Sequence, residues 1–264
     1  MKSAAVMRMV FLGAMAIFIA APLVVVAGVS FNSTGLMTLP TTHWSLRWYA
    51  EFLNDPSWMA AVTRSFTIAL LAALVATSIA LPIAYALWSR QSVLARWLST
   101  LGAVPFMLPP VIVAIVFLLF WGAIKHVGRI ENTVISHAMT FLALPLVLVS
   151  LGFQSVDQVL TEAARTMGAN PRQIITSLVL PIILPFIVSS LIFVAILSLN
   201  EYLIAYMVAG FTVETLPVKV FSSMRTGFSP TMCVGAVLFM AVGLAGFLLI
   251  AWLGNLPKLL GGKL

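Results

Sequence analysis

The chain is poor in groups that do covalent chemistry. Its 264 residues include seven Asp and Glu, three His and one Cys. His43, His126 and His137 are dispersed, and no His-Glu-x-x-His pair exists to hold zinc. Cys233 has no second cysteine with which to form an intramolecular disulfide. There is no Gly-x-x-x-x-Gly-Lys-Ser/Thr phosphate loop. Gly262-Lys263 is followed by Leu264, and Pro257 stands where the first glycine belongs. The expected catalytic and metal sets are therefore empty. Two carboxylates stand out instead: Glu162, beside Ala163 and Ala164 in a polar stretch, and Glu201, within Ser198-Leu-Asn-Glu-Tyr202 at the end of an apolar run.

A carboxylate at membrane depth is costly, and such groups usually face a protein interior or a water-filled path. Glu201 lies about 28 Å along a helix axis from Ile182 at 1.5 Å per residue. With Asn200 and Tyr202 it forms a candidate substrate-path group near one membrane face. An interfacial anchor and a contact with a partner chain are the alternatives.

The elements that position these groups follow from composition. Apolar types make up 62% of the chain and charged types 8%, and the mean hydropathy is +1.12. That leaves too little polar material to coat a soluble globule, whereas lipid tails solvate apolar faces. Six runs reach the roughly 20 residues that a spanning helix needs: 10–29, 66–88, 101–122, 133–152, 182–206 and 232–253. The fold class is therefore all-α, a polytopic membrane helix bundle of six spans forming one domain over 1–264. The runs are continuous rather than alternating, which argues against a β-barrel. The first run follows Lys2 and Arg8 and reads as an uncleaved span rather than a signal peptide.

The net charge of +7 comes from cations scattered between the runs, so nucleic acid is not an expected partner and a lipid bilayer is. With the N-terminus inside, eight Lys and Arg fall on the inner side, Lys258 and Lys263 among them, and six outside. Residues 30–65 carry Trp44, Trp48, Tyr49 and Trp58, as an interfacial segment does. Leu216 to Met224 reads as a short helix outside the membrane.

Residues 157–181 form an elbow. Helix formers run from Asp157 to Met167, and Gly168 can supply the left-handed residue that ends such a helix. Asn170 reads as an N-cap, Pro171 as the first helical residue and Gln173 as the third residue of a capping box. The second helix should run until Pro181 interrupts it. Ala163, Ala164 and Gly168 give the elbow a small-residue face on which another surface can sit closely.

Glu162-Ala163-Ala164, Gly168 and Leu178-Val179-Leu180-Pro181 resemble, at matching spacings, the EAA loop of ABC importer permeases; Leu178 replaces the usual Ile. The resemblance implies a type I ABC importer permease fold in a bacterial cytoplasmic membrane, with both termini cytoplasmic. It implies that Glu162, Ala163, Ala164, Gly168, Leu180 and Pro181 couple the chain to an ATPase. The implied partners are two ATPase subunits holding ATP and Mg, a second and different permease chain, and a periplasmic or extracellular solute-binding protein. No cofactor is expected in this chain. Ser198-Leu-Asn-Glu-Tyr, Leu216-Pro217-Val218 and Phe228-Ser229-Pro230 resemble the spermidine/putrescine branch, which implies a polyamine or related amino compound as solute. A secondary transporter and a non-transporting assembly subunit are the competing readings. The first commonly places ions near the midplane on broken helices.

Overall fold

The computed structural model describes residues 2–35, 43–227 and 229–253, with no side-chain description for 2–5 and 253. Phe228, Lys258 and Lys263, used in the sequence reading, lie outside the described residues or their side chains. The described residues are almost wholly helical, and their one β-bridge pairs Asn32 with Trp44. Helix α1 spans Lys2–Ser30, α2 Arg47–Asn54, α3 Pro56–Arg90, α4 Val93–Met107, α5 Pro110–Ala123, α6 Ile130–Thr140, α7 Ala143–Gln154 and α8 Gln158–Thr166. Then come α9 over Pro171–Asn200, α10 Leu203–Ala209, α11 Leu216–Thr226 and α12 Thr231–Leu253.

Four described helices are long and apolar enough to cross a membrane, and the number reaches six if each of two bent pairs counts as one span. The bends explain why runs that read as single spans are not single helices. The pair α4 and α5 is bent by 111° at Leu108-Pro109, ahead of Pro110. Leu108 is held extended, with ψ at 151°, because the residue before a proline is pushed out of the helical region. The pair α6 and α7 is bent by 50°. There Pro145 can make no bond to the carbonyl of Phe141, four residues back, and its ring crowds that carbonyl.

Pro181 behaves differently from expectation. It does not interrupt the helix. A π-helical turn over Ile174–Val179 leads into it, and the Leu180 N–H reaches the carbonyl of Ile175, five residues back. The wider turn absorbs the proline's missing donor, so α9 continues for 30 residues.

The described chain divides into two compact units. In the first, Met1–Ala60 with Lys219–Ala241, Phe31 stacks on Tyr49 at 5.0 Å. The Trp48 indole N–H donates to the Asn32 carbonyl at 2.6 Å. Trp48 and Trp58 are buried, so of the tryptophans read as interfacial only Trp44 is widely exposed, at 72%.

The second unit, Ala61–Val218 with Val242–Leu264, holds the elbow and the Glu201 segment. Ala72, Ala73, Ala76 and Ala80 form a small-residue stripe along α3. It packs against Ala138, Phe141, Leu142 and Leu146 of the α6–α7 region and Val194 of α9. Small side chains let helix backbones approach closely, which is how helices associate where lipid removes the hydrophobic incentive. Gly102 and Gly152 serve the same end: a Cβ on either would stand 3.0 Å from Leu142 or Phe186 side-chain atoms.

Candidate functional site

The elbow forms as local chemistry dictates. Asp157 caps α8 by accepting the Val159 N–H at 2.8 Å. At the other end Gly168 adopts φ +88°, which an L side chain rarely adopts. Its N–H donates to the Arg165 carbonyl at 2.9 Å, and the Ala169 N–H donates to that of Ala164 at 3.0 Å. These two bonds make a Schellman closure. Asn170 and Gln173 then exchange reciprocal side-chain to backbone bonds, both at 2.9 Å, and start α9. Both ends of α8 and the start of α9 are thus capped by groups within the elbow itself.

One side of α8 holds the elbow on its own bundle. Thr161 is buried, and Ala164 and Ala169 pack against a core of Ala84, Val149, Phe153, Ile174, Val179 and Ile183. Ala164 therefore faces inward, unlike the rest of the expected small-residue face. Glu162, Ala163 and Gly168 are exposed. Beside them stand three exposed apolar side chains that sequence reasoning passed over: Val159, Leu160 and Met167, the last 82% exposed. Val159, Ala163 and Met167 recur at i, i+4 and i+8, a spacing that shares one helix face. That periodicity was the available signal.

Leu180 and Pro181 are exposed too, but they lie along α9 rather than on the elbow. Leu180 lines a groove with Leu81, Tyr85 and Phe153. Beneath the elbow a cavity of about 230 Å³ is walled by Tyr85, Trp88, Glu162, Arg165, Ile174 and Val179.

The second region is the gap between α9 and α10. No proline or glycine makes it. Asn200 is exposed and its amide donates back to the Ile196 carbonyl at 2.8 Å. Glu201 turns extended, with φ −78° and ψ 120°. Its carboxylate accepts the N–H groups of Leu203, Ile204 and Ala205, each at 3.0 Å. These are orphan donors of the first turn of α10, groups that have no partner within the helix. Tyr202 stacks on Tyr206 at 5.5 Å, and Tyr206 meets Phe211 at 5.7 Å. Helix α10 in turn packs Ile204, Val208 and Ala209 against Val113, Ala114 and Trp121 of α5.

His137, dispersed in the sequence, comes to this gap. It is fully buried. Its Nε2 lies 3.3 Å from Glu201 Oε2, and its Nδ1 lies 2.7 Å from the Ser198 hydroxyl. The missed signal was a polar stripe in α6: Asn132, Thr133, Ser136, His137 and Thr140 are all buried and repeat with helical spacing. Among the described residues, no group of three His, Cys, Asp or Glu is placed to hold a metal.

Residues 78–256 match the family model described as binding-protein-dependent transport system inner membrane component. The chain is 35% identical over 247 residues to the putrescine transport system permease protein PotI of Escherichia coli K12, covering 89% of this chain and 85% of the relative. It is 25% identical over 224 residues to the spermidine/putrescine transport system permease protein PotC of Haemophilus influenzae, covering 85% and 87%. A crystal structure of a bacterial ABC transporter involved in importing the acidic polysaccharide alginate superposes with a TM-score of 0.66 at 19% identity, covering 91% of this chain and 92% of that one. An inward-facing structure of the MetNI methionine ABC transporter gives 0.61 at 18% identity, covering 76% and 99%. At such identities these two likenesses show the fold.

Proposed function

This chain belongs to the binding-protein-dependent transport system inner membrane components, and we propose that the solute it passes is putrescine or a closely related aliphatic polyamine. It is the permease subunit of an ATP-binding cassette importer, a multi-pass inner-membrane protein that works with a solute-binding protein and an ATPase. It forms the pathway and is not itself an enzyme. The observation that carries the solute reading is the 35% identity to a putrescine permease across 247 residues.

The coupling surface is the exposed side of α8. Val159, Leu160, Ala163 and Met167 offer an apolar face of the kind a partner's groove can cover. Glu162 stands at its edge to meet a donor or cation on the ATPase, and Gly168 leaves room beside it. Ala164 seats the elbow on the bundle, and Leu180 and Pro181 carry its displacement into α9. On this reading the elbow is cytoplasmic, both termini are cytoplasmic, and two ATPase subunits hold ATP and Mg. A different permease chain completes the pathway.

Asn200, Glu201 and Tyr202 border the path at the α9–α10 gap, near the external mouth. A stack of tyrosines, Tyr202 on Tyr206, suits a protonated amine, which is drawn to aromatic faces. Coupling between the loaded binding protein and ATPase closure is reciprocal by thermodynamic linkage. The test is ATP-dependent uptake by the complete importer in proteoliposomes. Labelled putrescine is offered against competing spermidine, methionine and a neutral sugar. Competition by the polyamine alone supports the reading, and saturable uptake of another solute class without putrescine uptake overturns it.

A further inference from the structure

Glu201 is committed elsewhere than to a passing solute. A carboxylate offers about four acceptor directions. Three are taken by the Leu203, Ile204 and Ala205 N–H groups, and the fourth is faced by the buried His137 ring. An ammonium ion would meet a carboxylate on which three backbone N–H groups already hold most of the acceptor directions. The side chain is 11% exposed, and the facing histidine side chain 1%.

We infer that Glu201 and His137 form a brace that sets the α9–α10 gap, and that both act in transport as positioning residues rather than as solute ligands. The inference rests on the reading of the gap as part of the path. The geometry is that of a built joint. Glu201 ends α9 with its backbone N–H, which donates to the Ser198 carbonyl at 3.4 Å, and starts α10 with its side chain, where no proline or glycine marks the break. His137 ties the joint to α6 by its hydrogen bond to Ser198 on the last turn of α9, and its Nε2 lies in ion-pair range of Glu201 just beyond it without making a hydrogen bond. Its ring is held edge-on by Phe141 at 6.0 Å. Helix α6 is anchored next door, where the Trp121 indole donates to the Ser136 hydroxyl at 3.0 Å. Displacing α6 against α9 therefore pulls on the first turn of α10, which carries Tyr206.

Two measurements test this on the complete importer. The first is putrescine uptake kinetics of Glu201→Gln, Glu201→Ala, His137→Gln and the double variant His137→Gln/Glu201→Ala. Gln keeps one neutral acceptor for the cap, so a brace predicts partial rescue: maximal uptake within about threefold of the parent for Gln and about tenfold down for Ala, a span that matches the loss of a helix cap. KM should stay within about twofold in both. The double variant should be no worse than Glu201→Ala, because the two residues act as one unit. A raised KM at unchanged maximal rate in Glu201→Gln, with Gln and Ala equally impaired, overturns the inference and makes Glu201 a ligand. The second measurement is amide hydrogen exchange at Leu203, Ile204 and Ala205, which needs no solute. Exchange should quicken about tenfold in Glu201→Ala and by less in His137→Gln. Unchanged protection there overturns the brace. If the parent importer ignores putrescine while that protection pattern holds, the solute reading fails and the brace stands.

Discussion

Replacing Gly168 by aspartate separates folding from coupling. Gly168 sits at φ +88°, and a Cβ built there meets no atom within 4 Å. The intrinsic cost is therefore backbone strain alone, about 1–2 kcal/mol for an L-residue in the left-handed region, and less for Asp or Asn, which visit it. A negative charge at a helix C-terminus adds about 0.3–1 kcal/mol. The sum is about 1–2 kcal/mol and stays within the elbow, whose core contacts run through Ala164 and Ala169 on the opposite side. Insertion and abundance of Gly168→Asp should match the parent, and the melting temperature of the detergent-solubilised chain should fall by only a few degrees. Copurification of the ATPase and solute uptake should nevertheless be lost, because the new carboxylate would stand beside the proposed docking face. Gly168→Asn, of equal bulk without charge, should retain more of both. Normal uptake by Gly168→Asp would refute the assignment of the docking face. So would a chain that fails to insert, since the strain would then not be local.

Other expectations follow from the same geometry. Met167→Ser with Val159→Ser should weaken ATPase retention on size-exclusion chromatography while leaving the melting temperature unchanged, because both side chains are exposed. Gly152→Val should destabilise the bundle by about 1–3 kcal/mol, read as a lower melting temperature, since its first added carbon already crowds Phe186 at 3.0 Å. Trp121→Phe should cost about 1 kcal/mol by removing the indole bond to buried Ser136, and Ser136→Ala added to it should cost little more.

Much of this was legible in the residues. The elbow could be read almost atom by atom because caps, a left-handed glycine and a capping box are local devices, specified by residues three or four apart. The apolar runs located the membrane helices because length and hydropathy are additive along the chain. The sequence was silent where the determining contact is remote. His137 and Glu201 are 64 positions apart, and nothing near either residue announces the other. The inward turn of Ala164 was hidden similarly, since its alanine neighbour at 163 is chemically identical and only the fold distinguishes them. Proline was the least faithful guide. Pro109-Pro110 and Pro145 accompany bends, whereas Pro181 is absorbed by a π turn.

The most direct test is uptake by proteoliposomes holding the full importer, with labelled putrescine and the binding protein outside and ATP within. Saturable accumulation is expected that spermidine competes with, that stops without ATP, and that the Gly168→Asp chain cannot support. Accumulation that persists without ATP, or through the Gly168→Asp chain, would contradict that expectation.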